Sequence, residues 1–319
     1  MSSTQHTEFV RFPNDLQEMN RMAQVQPAKM VSRADQRFHN SIHEIAKKAL
    51  RQNCRVILLA GPSSSGKTTT AHFLSAALNQ LGHETKMISL DDFYRAQEET
   101  PLREDGSHDF ECLEALRVDC IQRCLKDLTE SNSCEVPQFD FVQHRPAAES
   151  RRLALSPNGI AIIEGIHALN PALTAQLRRG GVVRIYISVK QDISNGSEQL
   201  LSAHEVRMIR RLVRDYNFRS TSPEQTLQMW DSVMEGERRY ILPFKHRADF
   251  TVNSLHAYEL GVLRNPALLL LRGVTEQSGW VAEEVNRLLF ALLLVHPVDP
   301  ALLPPTSLIR EFIGGGLYS

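Results

Sequence analysis

Short apolar runs and amphipathic stretches alternate through the middle of the chain. The apolar runs predict buried strands at residues 56–60, 85–90, 160–163, 182–189 and 248–252, and the amphipathic stretches predict helices at residues 42–50, 67–81, 111–128, 198–216 and 223–240. The runs lack polar alternation, which is typical of parallel strands covered on both faces. Strands that alternate with helices predict an α/β fold with a doubly wound parallel sheet. Residues 21–37 show little periodicity and are predicted to form an arm or a surface segment, whereas the region after residue 255 is mostly helical and apolar.

A glycine-rich loop follows the first apolar run directly. Residues 61–68 read GPSSSGKT and fit the pattern G-x-x-x-x-G-K-[ST]. Glycine lets the backbone bend so that successive N–H groups point at one anion. Lys67 would reach the β- and γ-phosphates, the Thr68 hydroxyl would ligate Mg²⁺, and the helix at 67–81 would add its positive dipole end. The sequence therefore predicts a nucleotide-phosphate site here.

Composition and charge narrow the class of protein. The chain has 319 residues and a formal net charge of −1, so it has no overall field that would attract nucleic acid or an anionic membrane. The N-terminus lacks an apolar signal segment, and the apolar run at 288–295 is too short to cross a bilayer. The five cysteines include no C-x-x-C pair, so reduced thiols in a cytoplasmic protein are expected.

Three acidic residues stand just past predicted strands, at the edge where a doubly wound sheet binds its ligands. Asp91 and Asp92 follow the second strand, and Glu164 follows the strand at 160–163. Either aspartate could accept the proton of an attacking hydroxyl while the other caps a turn, and the residues alone do not decide between them. For Glu164 a role at Mg²⁺, direct or through water, is favoured over pairing with a neighbouring cation.

Four arginines are spaced at i, i+3, i+4 and i+7 and so share one face of the helix predicted at 198–216. They are Arg207, Arg210, Arg211 and Arg214. Like charges stacked in this way repel one another unless an anion faces them. A solvated basic face is the ordinary explanation. In a chain with a phosphate loop, a lid that closes over a triphosphate is favoured, because guanidinium forks match phosphate oxygens. Asp215 is expected to pair locally with one of these arginines.

The stretch 137–145 combines aromatic side chains with an acid and two bases. The residues concerned are Phe139, Asp140, Phe141, His144 and Arg145. An aromatic ring could stack on a base while the polar groups bond a sugar or a base edge. A surface strand with one buried aromatic is an equal alternative. The role of Asp109 is also undecided, since it could bond a substrate hydroxyl or cap the helix predicted from residue 111.

These segments resemble the uridine kinase and phosphoribulokinase family of P-loop kinases, over residues 56–249. GPSSSGKTT (61–69) resembles the phosphate loop of the family, SLDDFY (89–94) its D-x-F-Y segment, and IIEGIHAL (162–169) its E-G-I segment. FDFVQHR (139–145) resembles the nucleoside-contacting segment, with Phe139 in place of tyrosine. RMIRRLVRDYNFR (207–219) resembles the arginine lid, although Ser220 stands where the family usually has glycine. The PP-x-S-x-x-REFIGG ending at 304–315 resembles a bacterial subgroup of uridine kinase-like proteins.

The resemblance implies roles for the matching residues. Asp91, rather than Asp92, would be the general base for the acceptor hydroxyl. The expected catalytic residues are Asp91, Lys67, Arg211 and Arg214, and the expected metal ligands are Thr68 and Glu164. The expected nucleotide contacts are Gly61, Pro62, Ser63, Ser64, Ser65, Gly66, Lys67, Thr68, Thr69 and Arg210. The expected acceptor contacts are Asp91, Tyr94, Asp109, Phe139, Asp140, His144, Arg145 and Arg207.

The resemblance also implies an organisation and an activity. A partly helical extension over 1–52 would precede a P-loop NTPase-type kinase domain over 53–254, with a helical lid at about 197–222. A helical appendage over 255–319 would pack on that domain or form a contact in a homo-oligomer. The expected activity is transfer of the γ-phosphate of ATP, with Mg²⁺, to the 5′-hydroxyl of a pyrimidine nucleoside. The alternatives are a kinase for another hydroxylated metabolite, such as a sugar phosphate, and a nucleotide-binding regulator without transfer activity.

Overall fold

A parallel sheet of five strands forms the centre of the molecule. The computed structural model describes residues 9–140, 143–174, 181–275 and 279–318. Its strands are β1 (Val56–Ala60), β2 (Thr85–Ser89), β3 (Ser133–Val136), β4 (Phe139–Asp140), β5 (Arg145–Pro146), β6 (Arg151–Ala154), β7 (Ile160–Glu164), β8 (Val182–Ser188), β9 (Ile193–Asn195), β10 (Glu198–Leu201) and β11 (Phe250–Asn253). The central sheet has the order β11-β8-β1-β7-β2, and every neighbouring pair in it is parallel. The predicted fold class is thus confirmed.

Helices cover both faces of this sheet. They are α1 (Leu16–Val25), α2 (Pro27–Arg51), α3 (Lys67–Gln80), α4 (Val118–Ser131), α5 (Pro171–Thr174), α6 (Ala203–Phe218), α7 (Pro223–Gln228), α8 (Trp230–Gly236), α9 (Glu259–Arg272), α10 (Gly279–Leu293) and α11 (Arg310–Ile313). Helices α2, α3, α6 and α9 share a large core on one face, whereas α4 and the β3–β6 hairpin cover the other. Among the described helices, none is both long enough and apolar enough to span a membrane.

The unbroken apolar sequence of β1 follows from burial on both faces of the sheet. Ile57 and Leu59 belong to the larger core, whereas Val56, Leu58 and Ala60 belong to the smaller one. None of the five is more than 1% exposed. A strand with two buried faces has no position that favours a polar side chain, which is why the sequence shows no alternation.

Two helices occupy the region predicted as an arm, so that prediction was wrong. The side chain of Asp15 caps α1, and Pro27 opens α2 at a position where a first helical turn tolerates proline. The buried face of α2 carries Asp35 between Val31 and Phe38. This buried acid interrupts the apolar repeat and obscured the helical period in the sequence.

The helix predicted at 198–216 begins later than expected. Residues 193–201 pair instead as the antiparallel hairpin β9–β10. A capping box of Ser202 and Glu205 then fixes the start of α6 at Ala203. In this box the side chains of Ser202 and Glu205 each accept a hydrogen bond from the backbone N–H of the other residue. The helix therefore starts after the hairpin, whose residues pair with each other.

The helix predicted from residue 111 also begins later, as α4. The residues before it pair with the chain that follows β2. The Arg95 amide donates to the Ala115 carbonyl at 2.9 Å, and the Arg117 amide donates to the Phe93 carbonyl at 2.9 Å. Backbone groups used in this pairing cannot also make helical bonds. Glu111 therefore lies in a loop rather than in a helical turn.

The helix predicted at 223–240 is divided into α7, α8 and a π-helical turn at Glu237–Ile241. Pro223 is the first residue of α7, as its position predicted, and the side chain of Ser222 caps it. A π-helical turn frequently marks a functional site. Here it places the carboxylate of Glu237 against Arg207, whose guanidinium contacts the phosphate loop, as described below.

The region after residue 255 packs on the larger core together with the N-terminal helices. Leu308 and Phe312, near its end, are at most 1% exposed. A buried polar network connects this region to α2. The Tyr258 hydroxyl donates to Asp35 Oδ1 and lies 2.7 Å from Ser307 Oγ. The two ends of the chain therefore meet in one core beside the sheet.

Candidate active site

The phosphate loop, residues 61–69, comprises the link 61–66 between β1 and α3 and the first turn of α3, and its shape depends on glycine. Gly66 has a φ of +85°, a left-handed conformation that glycine adopts at little cost. A Cβ at this position would lie 2.8 Å from Leu308 Cδ1, closer than side-chain packing allows. Lys67 Nζ donates to the Pro62 carbonyl at 3.2 Å and so lies along the loop. The loop has the form that a phosphate site requires, and its contacts to a nucleotide stay a prediction.

Two of the four predicted lid arginines lie behind this loop. The side chains of Arg207 and Arg210 are fully buried. Arg207 donates to the Ser63 carbonyl at 3.1 Å, and Arg210 donates to the Ser64 carbonyl at 3.2 Å. Direct contacts of Arg207 with an acceptor and of Arg210 with a nucleotide do not fit this geometry, because both guanidinium groups are already engaged with the protein.

Buried acids balance these two arginines. Glu237 pairs with Arg207, and Glu259 pairs with Arg210. Removing two charges from water is costly, so a buried pair requires further hydrogen bonds around it. The Ser254 carbonyl provides one by accepting from Arg210 at 2.7 Å. The two pairs therefore anchor the phosphate loop to α6, α9 and the π-helical turn.

Arg211 and Arg214 lie nearer the open side of the loop. Arg211 donates to the Ser63 hydroxyl at 2.8 Å. Asp215 lies between them, 3.1 Å from Arg211 and 2.7 Å from Arg214, as its expected local pairing predicted. The four predicted arginines thus form two pairs with different surroundings. Arg211 and Arg214 remain the candidates for cations that stabilise a transferring phosphoryl group.

Glu164 ends β7 beside the phosphate loop. Its Oε1 accepts from the Ser89 hydroxyl at 2.9 Å and from the Thr68 hydroxyl at 3.3 Å. Burial raises the pKa of Glu164 to about 7, the charge of Asp91 adds to the rise, and the charge of Lys67 opposes it. A carboxylate between two hydroxyls supplies oxygen ligands, which Mg²⁺ prefers. In the described ranges no cluster of three or more acidic, His or Cys side chains is placed to hold a metal ion, and the role of Glu164 and Thr68 toward Mg²⁺ stays a prediction.

The adjacent aspartates after β2 have different surroundings. Asp91 is exposed. Burial is the largest cause of the raised pKa values of Glu164 and Tyr94, and the charge of Asp91 is the second cause for both. Asp92 is half-buried and lies 3.9 Å from the Arg151 guanidinium. Burial raises the pKa of Asp92, and Arg151 opposes the rise. Asp91 is therefore the aspartate of this pair whose charge reaches the carboxylate beside the phosphate loop.

Glu111 is a site residue that the sequence reasoning missed. Burial raises the pKa of its carboxyl, the charges of Arg211 and Lys67 oppose the rise, and Asp91 adds to it. Glu111 thus lies among the groups proposed for catalysis. A Cβ on Gly236 would lie 2.7 Å from Glu111 Cβ, so glycine in α8 allows the loop this close approach. In the sequence nothing separates Glu111 from an ordinary first-turn glutamate.

Aromatic side chains form one wall beside Asp91. The rings of Tyr94 and Phe139 meet edge to face, with centroids 5.8 Å apart. The Tyr94 hydroxyl donates to the Phe110 carbonyl at 3.1 Å and is thereby fixed in position. Phe139, an aromatic residue of the 137–145 stretch, therefore lies near the end of β2. Phe141, the other aromatic considered there, lies outside the described residues.

Asp109 is engaged by the protein itself. Its carboxylate accepts from the Arg103 guanidinium at 3.2 Å, from the Tyr240 hydroxyl at 3.2 Å and from the Glu111 amide at 3.1 Å. The helix that Asp109 was expected to cap begins later, as α4, so Asp109 bonds a loop instead. Its contact with a substrate hydroxyl stays a prediction. By accepting from the Glu111 amide, Asp109 positions the neighbouring carboxylate.

The remaining predicted acceptor contacts lie on the β4–β5 hairpin. Asp140 accepts from the Gln143 amide at 2.9 Å, and Arg145 Nε donates to the Gln143 side chain at 2.8 Å. His144 is exposed and has a φ of +51°, which is uncommon for a residue with a side chain. The His144 carbonyl accepts from the Gln97 amide at 3.0 Å. The roles of the His144 and Arg145 side chains toward an acceptor stay predictions.

Comparison with known proteins identifies the family. The family model described as phosphoribulokinase / uridine kinase family matches residues 56–260. The uridine kinase of Staphylococcus haemolyticus (strain JCSC1435) is 29% identical over 201 residues, which cover 63% of this chain and 87% of the relative. The uridine kinase of Ligilactobacillus salivarius (strain UCC118) is 28% identical over 207 residues, which cover 64% and 87%.

Among solved structures, phosphoribulokinase from Rhodobacter spheroides covers 63% of this chain and 71% of its own, at 15% identity and a TM-score of 0.44. The family match spans well over half of the chain and confirms the resemblance noted in the sequence. This chain belongs to the phosphoribulokinase / uridine kinase family, and it is a phosphotransferase that acts on a hydroxyl group.

Proposed function

We propose that this chain transfers the γ-phosphate of ATP to the 5′-hydroxyl of a pyrimidine nucleoside. The observation that carries the proposal is the position of Glu164, which accepts from Thr68 of the phosphate loop at 3.3 Å and from Ser89, two residues before Asp91, at 2.9 Å. The charges of Asp91 and Lys67 act on the pKa of both Glu164 and Glu111, so these four groups lie in one region. Phosphoryl transfer needs a phosphate cradle, a metal and a group that orients the acceptor. This grouping supplies a candidate for each. The relatives named uridine kinase support a nucleoside as acceptor.

Asp91 is the proposed general base. Its exposed carboxylate takes the proton of the acceptor hydroxyl as the oxygen attacks the γ-phosphorus, and the bond from that phosphorus to the β,γ-bridging oxygen breaks to release ADP. Lys67 and the loop amides hold the phosphates, and Arg211 and Arg214 stabilise the charge on the transferring group. Thr68 and Glu164 would hold Mg²⁺, which would neutralise phosphate charge.

Acceptor recognition is assigned to the aromatic wall and to Glu111. The edge-to-face pair of Tyr94 and Phe139 offers apolar surface on which a flat base can pack. An ionised carboxylate accepts hydrogen bonds and cannot donate them, so Glu111 suits the hydroxyls of a sugar. A ribonucleoside combines both features, since it has a flat base and several hydroxyl donors. This match favours a nucleoside over a sugar phosphate, whose phosphate would meet the charge of Glu111.

The test is an assay of the purified chain with ATP and Mg²⁺ against single acceptors. The panel comprises uridine, cytidine, adenosine, ribose 5-phosphate and ribulose 5-phosphate, with products identified by mass spectrometry. We expect 5′-monophosphates of uridine or cytidine and no bisphosphate of either sugar. A sugar bisphosphate as the sole product would replace the nucleoside by a sugar phosphate. ATP binding without a phosphorylated product from any acceptor would favour the regulatory alternative.

A further inference from the structure

The C-terminal segment contacts the phosphate loop at a position that the proposed reaction does not use. Glu311 Oε2 accepts a hydrogen bond from Thr69 Oγ1 at 2.6 Å. Thr69 follows directly on Thr68, in the first turn of α3. That turn has free backbone N–H groups and the positive end of the helix dipole, so it attracts anions. The tail therefore brings a carboxylate of this chain to the anion-binding end of α3.

Packing holds Glu311 in this position. Phe312, the next residue, is fully buried, and the Arg210 guanidinium lies 5.1 Å from the centre of its ring. The Leu308 side chain fills the space beside Gly66. Arg310 donates to the Leu303 carbonyl at 2.8 Å and fixes the turn that precedes Glu311. The carboxylate is thus delivered by an ordered segment rather than by a free end.

The charge of Glu311 reaches the candidate catalytic groups. It is one of the causes of the shifted pKa of Glu164, and it comes after burial and the effects of Asp91, Lys67 and Ser89. A triphosphate bound by the loop would add several negative charges in the same region. A hydroxyl has a single proton to donate, so Thr69 can donate to Glu311 or to a phosphate oxygen but not to both. The carboxylate and the nucleotide therefore compete for one hydrogen-bond donor.

We propose that Glu311 sets the affinity for the donor nucleotide by occupying Thr69 until a phosphate oxygen replaces it. The inference rests on the proposed role of residues 61–69 as the nucleotide-phosphate site. In this arrangement the tail lowers affinity for any ligand whose phosphates reach Thr69, and it leaves affinity for an uncharged acceptor unchanged. Glu311 thereby adjusts donor binding without contacting the reacting atoms.

The test compares ATP binding, measured by calorimetry, between the full-length chain and two charge-matched variants. Glu311→Gln keeps the shape and an oxygen acceptor but removes the charge, and we expect about tenfold tighter ATP binding from the loss of one nearby unit charge. Glu283→Gln makes the same charge change at an exposed position of α10 and should bind ATP as the unaltered chain does. Uridine, which lacks phosphates, should bind all three proteins equally.

A second pair of variants tests the route through Thr69. In a Thr69→Val background the hydroxyl is absent and only the charge repulsion of Glu311 remains, so adding Glu311→Gln should tighten ATP binding clearly less than in the native background. An equal gain in both backgrounds would overturn competition for Thr69, and unchanged or weaker ATP binding by Glu311→Gln in the native background would overturn the proposal. Melting temperatures check that each variant is folded. Failure of the unaltered chain to bind ATP would refute the proposed phosphate site instead.

Discussion

The donor side and the acceptor side of the site are built from different kinds of structure. The phosphate loop lies between a fully buried strand and a helix, and Arg207 and Arg210 hold it from behind through buried ion pairs. On the acceptor side Asp91 lies on a 3-10 turn, Glu111 on a loop and Phe139 on a strand of two residues. Regular elements fix the proposed phosphate site, whereas irregular segments carry the residues proposed to select the acceptor.

This difference has a physical reason. A triphosphate presents the same charges in every reaction of the family, so a rigid, pre-arranged cradle suits it. Acceptors differ in shape and hydrogen bonding, and loops tolerate the substitutions that follow such differences. We therefore expect substitutions behind the donor side to act mainly on stability, and substitutions on the acceptor side to act mainly on kinetics.

The largest effect is expected at Asp91, where the two sides meet. Asp91→Asn removes the proposed base and should lower turnover by about 10³- to 10⁴-fold, while the Kd for ATP stays unchanged. Steady-state kinetics and calorimetry measure the two quantities. Asp92→Asn is the matched control, since its carboxylate faces Arg151, and it should retain most activity. Normal turnover in Asp91→Asn would remove Asp91 from the base role.

Loss of a buried arginine should destabilise the donor side. Arg210→Met leaves the fully buried Glu259 without its partner, and we expect a decrease of about 3–5 kcal/mol in the free energy of unfolding. Urea denaturation measures this change. The double variant Arg210→Met with Glu259→Met removes both charges and should recover most of the loss. An Arg210→Met chain as stable as the unaltered one would mean that the pair does not anchor the loop.

Removal of Glu111 should affect the acceptor alone. Glu111→Ala deletes the proposed partner of the acceptor hydroxyls, so the KM for the nucleoside should rise by about tenfold or more, with the KM for ATP unchanged. The exposed neighbour Glu114, altered in the same way, is the control for a general loss of charge. Equal increases in the KM for the nucleoside and the KM for ATP would show that Glu111 does not act on the acceptor alone.

A pH-dependent effect on stability is expected outside the site, at Asp35. Burial raises the pKa of Asp35 to about 6 from an ordinary 3.8, and the hydrogen bond from Tyr258 opposes the rise. His256 nearby does not compensate its charge, because burial lowers the pKa of His256 to about 3. The folded state binds this proton more tightly, so its stabilising contribution is full below pH 3.8 and is lost as pH rises to about 6.

Asp35→Asn keeps a neutral group at this position at every pH. Relative to the unaltered chain, it should therefore gain up to about 3 kcal/mol in unfolding free energy between pH 4 and pH 7. Urea denaturation at both pH values measures the gain. If the two proteins differed in unfolding free energy by the same amount at pH 4 and at pH 7, that result would contradict a raised pKa for Asp35.

The sequence predicted the features that depend on neighbours along the chain. The strands, the phosphate loop and α3 are specified by local apolar runs and glycines, and each observed strand of the central sheet lies within two residues of its predicted bounds. The role of Arg210 was not predictable, since it depends on Glu259, which lies 49 residues away in the chain. Glu111 was missed because long-range backbone pairing removes it from the helix that its own spacing favours.

The buried bonds among Asp35, Tyr258 and Ser307 limit how far this protein can be trimmed. The family match begins at residue 56 and ends at residue 260, yet side chains from both flanks fill the core beneath the sheet. Cutting at those borders would strip Phe38 and Phe312 from apolar surface that then meets water. A fragment cut at those borders is therefore expected to be less stable than this chain, because it would lack the flanking side chains of the core.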